Sequence, residues 1–565
     1  MTPAFNSGLR FKVTGAVVVL CAIYLSFAGL DHTLFWDDEA LVAIHARNYL
    51  QTGTWTAWTG RNLAAYGNGM LLDDQLETRD PKVQHWLAIL SFKGLGVSTW
   101  TGRFPFVLVG LAGLGVFVLI LRREFPGQNA VKLYALTLLA LSPVFLLNIR
   151  QCRYYAPCLT FGLLTYYFYR RCSAGRSRAD IFGLALAAAL LFYSQYLVGG
   201  AFLVAIAVMH LVCHRRECAR PGWINLGLAA ALFLLATVPF LLTHPVWIRA
   251  EAPVDEAWYL RKPTLFWWYV RDLNAAACLP WTVTLMLIGI LWWQRKHPLV
   301  RQVARPWTIL GLTFLAVLSS LSFQSTRLPD LAWTRYLIPV VPFLAGLTGI
   351  VLGCIAQRSR GAALALLAIL LGSNLLSLSP WNTTFRWLLP AYIQEVHRPF
   401  RTPYQAAVEF IRAHVSRDAL VAVEPEFCAY PLMFYLDDHV RFGCLLNTNT
   451  LLPRAALERL SAPLWVEEYY PDWLIAFGSS MRTAALALHF CRVHHEKGRE
   501  VAYSYRLEKN LEVFWFDTSR PELAFHTFGP RKDFDPGLDS VYAFRRLPAQ
   551  EVYPAAAPPA PHKSE

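Results

Sequence analysis

Long apolar runs without any charge constrain this chain more than any other feature of its sequence. Residues 16–30, 226–242 and 362–378 contain no Asp, Glu, Lys or Arg. A soluble domain contains roughly 25% charged residues, whereas this chain of 565 residues contains 16% and is 55% hydrophobic. Because a crossing helix needs about 20 apolar residues, the runs before residue 380 predict about eleven membrane spans and exclude an ordinary soluble enzyme.

The charge balance divides the chain into two regions near residue 395. Residues 1–394 carry 33 basic and 16 acidic residues, whereas residues 395–565 carry 19 and 22. The second region mixes a helix-like segment at 404–415 with short strand-like runs, which predicts a small α/β domain over 395–548. The strand-like runs are 419–424, 473–477, 500–505, 513–516 and 541–544. The Pro- and Ala-rich tail, 549–565, is predicted to be disordered.

The loops between the runs predict how the chain is oriented in the membrane. Residues 83–96 form a run of only 14, which is typical of a helix lying at the interface. If this segment lies flat on the outer face, the short basic loops and the N-terminus all fall on the cytoplasmic side, as the positive-inside rule requires. The predicted spans start near residues 13, 104, 131, 154, 180, 199, 223, 276, 307, 335 and 361. An odd number of spans places the C-terminal domain outside the cytoplasmic membrane, together with the long outer loops 31–103 and 244–275.

The sequence Phe-Trp-Asp-Asp-Glu-Ala at 35–40 is the strongest local signal for chemistry. It places three carboxylates just beyond the outer end of the first span. A carboxylate that is partly shielded from water suits a general base or a ligand of a divalent cation. The alternative is a solvated turn or the N-terminus of a helix. The same loop contains Asp73, Asp74 and Asp80, followed by Lys82 and His85.

Arginines at the outer ends of the spans form a second candidate group. Guanidinium groups bind phosphate oxygens through paired hydrogen bonds, although an isolated Arg near a helix end more often reaches toward lipid headgroups. Acids and arginines on one face match a transfer from a lipid-linked phosphosugar, which needs a base for the acceptor hydroxyl and cations for the departing phosphate. These arginines are Arg150, Arg153, Arg271, Arg327 and Arg335.

Several segments in order resemble the bacterial GT-C glycosyltransferases, a group that includes protein mannosyltransferases and the aminoarabinose transferase of lipid A. The first, FWDDEALVAIHARNYLQTG at 35–53, is similar to the Asp-Glu motif of their first loop. The others resemble their interfacial helix, the end of their next in-to-out span, their Arg-Tyr-x-x-Pro-x-x-Pro segment and the opening of their external domain. They are PKVQHWLAILSFKGLGVSTWTGRFP at 81–105, SPVFLLNIRQCR at 142–153, TRYLIPVVP at 334–342, and residues 403–436.

The resemblance implies an inverting transferase that uses a polyprenyl-phosphate-linked sugar. It implies that Asp38 is the base with Glu39 beside it, and that outer cations bind the donor phosphate. Those cations are Arg150, Arg153, Arg335, Lys82 and Arg271. Many members have Lys-Pro-Pro before the interfacial helix, where this chain has Asp80-Pro81-Lys82. If a divalent metal ion is a cofactor, its expected ligands are Asp38, Asp80 and His85.

The sequence supports other functions less well. A multi-span transporter or flippase of lipid-linked sugar is the main alternative, and a non-catalytic scaffold that binds such a lipid is another. The basic residues lie between spans and no GxGxxG or P-loop is present, so neither nucleic acid nor a nucleotide is expected as a partner. Cys428 and Cys444 could pair on the outer side. The sugar and the acceptor, whether lipid, glycan or protein, are not encoded in any short motif.

Overall fold

The computed structural model describes most of the membrane region and part of the C-terminal domain. The described residues are 5–65, 69, 72–175, 177–243, 261–322, 334–379, 383, 385–398, 401–443, 452, 458, 460, 470–477, 493–496, 499–502, 504–512, 540–548 and 550–551. Predictions for Arg327, Cys444, strand 513–516 and the tail from 552 onward lie outside this set.

Helices form nearly all of the chain before residue 400. They are α1 (Phe5–Phe27), α2 (Asp37–Thr52), α3 (Lys82–Leu95), α4 (Thr99–Glu124), α5 (Asn129–Ala140), α6 (Pro143–Ile149), α7 (Tyr155–Cys172), α8 (Arg178–Ser194), α9 (Tyr196–Met209), α10 (Arg220–Thr243), α11 (Arg261–Ala275), α12 (Trp281–Trp293), α13 (Arg305–Leu321), α14 (Thr334–Leu337), α15 (Val341–Arg358), α16 (Arg360–Gly372) and α17 (Leu389–His397). Short π-helical turns extend α9 over His210–His214 and precede α13 over Val300–Ala304.

Each predicted apolar run contains a helix, but the predicted number of spans is not confirmed. Five helices among the described residues are long and apolar enough to cross a membrane, and α5 with α6, bent by 53° at their junction, could form a sixth. Three further apolar helices are shorter, over 11–27, 281–293 and 360–372. The predicted interfacial segment 83–96 is helix α3, which carries Trp86 and Leu90 on an exposed side.

The C-terminal region is the predicted α/β domain. Helix α18 (Pro403–His414) precedes β1 (Leu420–Glu424), and α19 (Ala429–Leu436) lies between β1 and β2 (Arg441–Phe442). The main sheet has the order β2-β1-β3-β7-β6, with β3 (Trp473–Phe477), β6 (Tyr505–Glu512) and β7 (Ser540–Arg546). Strand β1 pairs parallel with β2 and β3, whereas β7 pairs antiparallel with β3 and β6. A smaller antiparallel sheet contains β4 (Val493–Glu496), β5 (Arg499–Ala502) and β8 (Gln550–Glu551).

The C-terminal domain packs directly against the segment between α1 and α3. Asp437, just after α19, accepts hydrogen bonds from Arg47 at 3.1 Å, Thr59 at 3.0 Å and Asn62 at 2.7 Å. The Tyr435 hydroxyl accepts the backbone N–H of Phe35 at 3.0 Å, at the start of the acidic motif. The domain therefore helps to fix the loop in which the candidate site lies.

Candidate active site

The acidic motif forms the first turn of α2. Asp37, Asp38 and Glu39 occupy that turn, and the residue before it, Trp36, provides no side-chain cap. Carboxylates are stabilised there because the helix dipole leaves partial positive charge at the N-terminus. Phe35 and Trp36 are buried and anchor the segment. At Gly102, in the first turn of α4, an added Cβ would lie 2.4 Å from Cζ of Phe35, so only glycine allows this close approach.

Glu39 is completely buried in a bidentate ion pair with Arg103. The guanidinium Nε donates to Oε1 at 2.9 Å and Nη2 donates to Oε2 at 2.6 Å, while the backbone N–H of Cys152 donates to Oε1 at 2.8 Å. Arg103 also donates to the carbonyls of Leu30 and Thr33, each at 2.9 Å. The pair joins α2, α4 and the segment after α1, so its contacts favour a positioning role for Glu39.

Asp38 lies between two arginines that are far away in the sequence. Nη2 of Arg153 donates to Oδ1 at 3.0 Å, and Nη1 of Arg335 donates to Oδ2 at 3.4 Å. The Asp38 side chain remains 22% exposed, so small molecules can reach it, whereas those of Arg153 and Arg335 are 14% and 11% exposed. Acid and cations predicted from the sequence thus converge at one place.

Both arginines have buried N–H groups without a protein partner. These are Nε and Nη1 of Arg153 and Nε of Arg335. Leaving a buried donor unsatisfied costs about 1–3 kcal/mol, and more when the group is charged. Such donors beside an accessible carboxylate are suited to bind an anionic ligand such as a phosphate.

Two more titratable groups of this region, Asp37 and Lys82, have shifted pKa values. Burial and the adjacent charge of Asp38 raise the pKa of Asp37 to about 8, so its carboxyl is largely protonated at neutral pH. Burial lowers the pKa of Lys82 to about 8, against the opposing effect of Asp80, Glu77 and Asp73. The Lys82 ammonium lies 4.7 Å from the centre of the Trp55 ring and donates to the carbonyl of Thr78.

Arg150 and Arg271 are engaged elsewhere. Arg150 donates to the carbonyls of Leu25 at 3.1 Å and Gly29 at 2.7 Å and to the hydroxyl of Tyr392 at 2.7 Å, which ties α1 to α17. Arg271 pairs with its neighbour Asp272 at 2.7 Å and lies 3.6 Å from the centre of the Trp268 ring. Their contacts favour structural roles, and phosphate binding by either residue stays a prediction.

The three expected metal ligands do not all lie together in the structure. Asp80 and His85 lie together with His45 of α2, and one ligand atom from each lies within 4.8 Å of the other two. Asp38 is not in this group, because its carboxylate is held by the two arginines. Sequence reasoning missed His45, which lies inside a buried run of α2; its only signal is a polar residue among apolar neighbours.

Part of the sequence is similar to known proteins. Residues 79–242 match the family model described as dolichyl-phosphate-mannose-protein mannosyltransferase. An uncharacterised protein of Aquifex aeolicus is 27% identical over 176 residues, which are 31% of this chain and 32% of that protein. The match therefore spans about a third of the relative's length.

Two solved structures share the fold. One is ArnT from Cupriavidus metallidurans bound to undecaprenyl phosphate, with a TM-score of 0.53 and 17% identity over 88% of this chain and 98% of that chain. The other is the Archaeoglobus fulgidus oligosaccharyltransferase in complex with Zn and sulfate, with a TM-score of 0.52 and 11% identity. It covers 82% of this chain and 68% of that chain. The chain has the fold of GT-C glycosyltransferases, and the resemblance predicted from the sequence is confirmed.

Proposed function

We propose that this protein is a membrane-embedded inverting glycosyltransferase that moves a sugar from a polyprenyl-phosphate donor to an acceptor outside the cytoplasmic membrane. The observation that carries the proposal is the partly exposed Asp38 carboxylate between Arg153 and Arg335, both of which retain unpartnered N–H groups. The family model and the ArnT structure support the lipid-phosphate donor, since their descriptions name dolichyl phosphate and undecaprenyl phosphate. The acceptor is a lipid, a glycan or a protein.

In the proposed reaction Asp38 is the general base. It takes the proton of the acceptor hydroxyl while that oxygen forms a bond to the anomeric carbon of the sugar. The bond from this carbon to the phosphate oxygen breaks, and polyprenyl phosphate leaves with the electron pair. Arg153 and Arg335 stabilise the charge on the leaving phosphate, because cations in a site shielded from water act strongly on developing charge. Attack from the face opposite the phosphate inverts the anomeric configuration.

Two further predicted residues, Lys82 and Glu39, contribute to this centre in the proposed reaction. Lys82 adds a third cation that becomes neutral near pH 8, and Glu39 holds α2 in place through Arg103. An orientation with the N-terminus in the cytoplasm and residues 395–548 outside places Asp38, Arg153 and Arg335 on the outer face. The lipid tail of the donor then remains in the bilayer while its phosphate reaches the arginines.

A transfer assay with the purified protein in detergent tests the proposal. A panel of radiolabelled polyprenyl-phosphate sugars is offered with membrane extract as acceptor, using wild type, Asp38→Asn and the exposed control Asp74→Asn from the same loop. Loss of a positioned base costs about 10²–10⁴-fold in rate. We therefore expect Asp38→Asn to lose that much transfer with donor binding retained, and Asp74→Asn to match wild type.

The arginines are tested by their effect on the donor. Arg153→Gln and Arg335→Gln should weaken binding of the polyprenyl-phosphate sugar, whereas Asp38→Asn should not. Donor binding by wild type without transfer to any acceptor would favour the transporter or the scaffold. Full transfer by Asp38→Asn would show that the base is another residue.

A further inference from the structure

A group of metal-binding side chains lies beside the proposed centre. His45 belongs to α2, His85 to α3, and Asp80 to the turn that precedes α3. They are 1%, 0% and 8% exposed, and one ligand atom from each lies within 4.8 Å of the other two. Among the described residues, this is the one group of three or more His, Cys, Asp or Glu side chains that meets that spacing.

The polar atoms of this group lack the partners that buried atoms require. Both ring nitrogens of His45, Nε2 of His85 and Oδ2 of Asp80 have no hydrogen-bond partner. Each such atom destabilises the folded protein if it remains unsatisfied in the interior. Four unsatisfied atoms on three neighbouring side chains indicate a shared ligand better than independent defects of packing.

The orientation of His85 also favours metal binding. Its Nδ1 lies 3.1 Å from the carbonyl oxygen of Pro81, an acceptor only, so this nitrogen carries the proton and donates. The lone pair of a neutral ring is then on Nε2, which is the unpartnered atom. Metal-bound histidines almost always donate their other N–H to a carbonyl or carboxylate in this way.

We propose that His45, Asp80 and His85 bind one transition-metal ion, with zinc as the best match. Two imidazoles and one carboxylate suit zinc at bond lengths of about 2.0–2.2 Å, with a water or another small ligand completing the tetrahedron. Tetrahedral ligand atoms at these bond lengths are about 3.4 Å apart. A bound ion would draw together ligand atoms that already lie within 4.8 Å of one another.

The ion would hold α2 against α3 rather than act on the sugar. His45 follows Asp38 by seven residues, which places it about 10 Å further along the helix at 1.5 Å per residue. The Trp55 ring lies 5.7 Å from that of His85 and 5.2 Å from that of Trp86, so aromatic side chains cover this side of the group. The metal thus fixes the helix whose first turn carries the proposed base.

Metal analysis of the purified full-length chain tests this site without any assay of transfer. Protein produced with zinc in the medium is desalted, and its metal content is measured by mass spectrometry. We expect about one zinc ion per chain in wild type and in His210→Ala, which removes a buried histidine bonded to Tyr169 at 2.9 Å. Loss of a second-sphere partner already weakens metal affinity by roughly 10–100-fold, so loss of a ligand in His45→Ala or His85→Ala should weaken it by more.

Cobalt substitution provides a second measurement, which reports the coordination geometry of the bound ion directly. Cobalt(II) added to metal-free wild type should produce the visible ligand-field absorption of a tetrahedral site, and zinc should abolish it. Asp80→Glu should retain this spectrum in altered form, whereas Asp80→Ala should lose it. Wild type that contains no zinc and produces no cobalt spectrum would overturn the proposal, even if the protein proves to be an active transferase.

Discussion

The buried pair of Glu39 and Arg103 provides the sharpest test of how the site is held. Glu39→Gln keeps the shape of the side chain and removes its charge. The Arg103 side chain, 6% exposed, would keep its positive charge and its bonds to the carbonyls of Leu30 and Thr33, but it would lose its counterion. A buried charge without a counterion is costly because protein interiors solvate it poorly.

Removing one partner of a buried ion pair costs about 3–5 kcal/mol. Because the Gln oxygen can still accept one hydrogen bond, we expect a loss near the lower value, about 3 kcal/mol. That is a large part of the 5–15 kcal/mol by which native proteins are typically stable. The control is Glu409→Gln, which breaks an exposed pair with Arg401 at 2.7 Å; exposed pairs contribute about 0.2–1 kcal/mol.

The free energy of unfolding is measured by denaturant titration in detergent, with tryptophan fluorescence as the signal. The double variant Glu39→Leu with Arg103→Met should be more stable than Glu39→Gln, since apolar residues of similar size often replace a buried pair without loss. Should Glu39→Gln retain wild-type stability within about 0.5 kcal/mol and yet lose transfer, the positioning role is wrong and Glu39 takes part in the chemistry.

The remaining predictions concern two further candidate cations, Lys82 and Arg150. Burial lowers the pKa of Lys82 to about 8 and, with the charge of Asp38, raises that of Asp37 to about 8, so as pH rises through 8 a positive charge is lost and a negative charge appears. The kcat/KM for the donor should therefore fall above about pH 8. The Lys82→Arg variant keeps its positive charge at that pH and should move the fall to higher pH. An unchanged pH profile in Lys82→Arg would exclude Lys82 from donor binding. Arg150→Gln loses the contacts to α1 and Tyr392, so it should lower the midpoint of thermal unfolding and leave the KM for the donor unchanged. A raised KM at unchanged stability would instead support phosphate binding by Arg150.

Much of the architecture follows from local sequence. The uncharged apolar runs became helices because a segment of that composition must satisfy its backbone hydrogen bonds internally in a bilayer. The strand-like runs predicted at 419–424, 473–477 and 541–544 correspond to strands β1, β3 and β7. The number of crossings could not be read in the same way, because several of the helices are shorter than a bilayer is thick or are bent.

What the sequence determined about the site is the acidic motif itself, since three carboxylates at the end of an apolar run are visible without a structure. Only the tertiary structure decided which partner each carboxylate has. Glu39 is buried against Arg103, whereas Asp38 contacts Arg153 and Arg335, which follow it in the sequence by 115 and 297 residues. The same holds for His45, which joins Asp80 and His85 only because α2 packs on α3. Contacts between helices depend on which faces pack together, and packing is a property of the whole bundle that no local pattern contains.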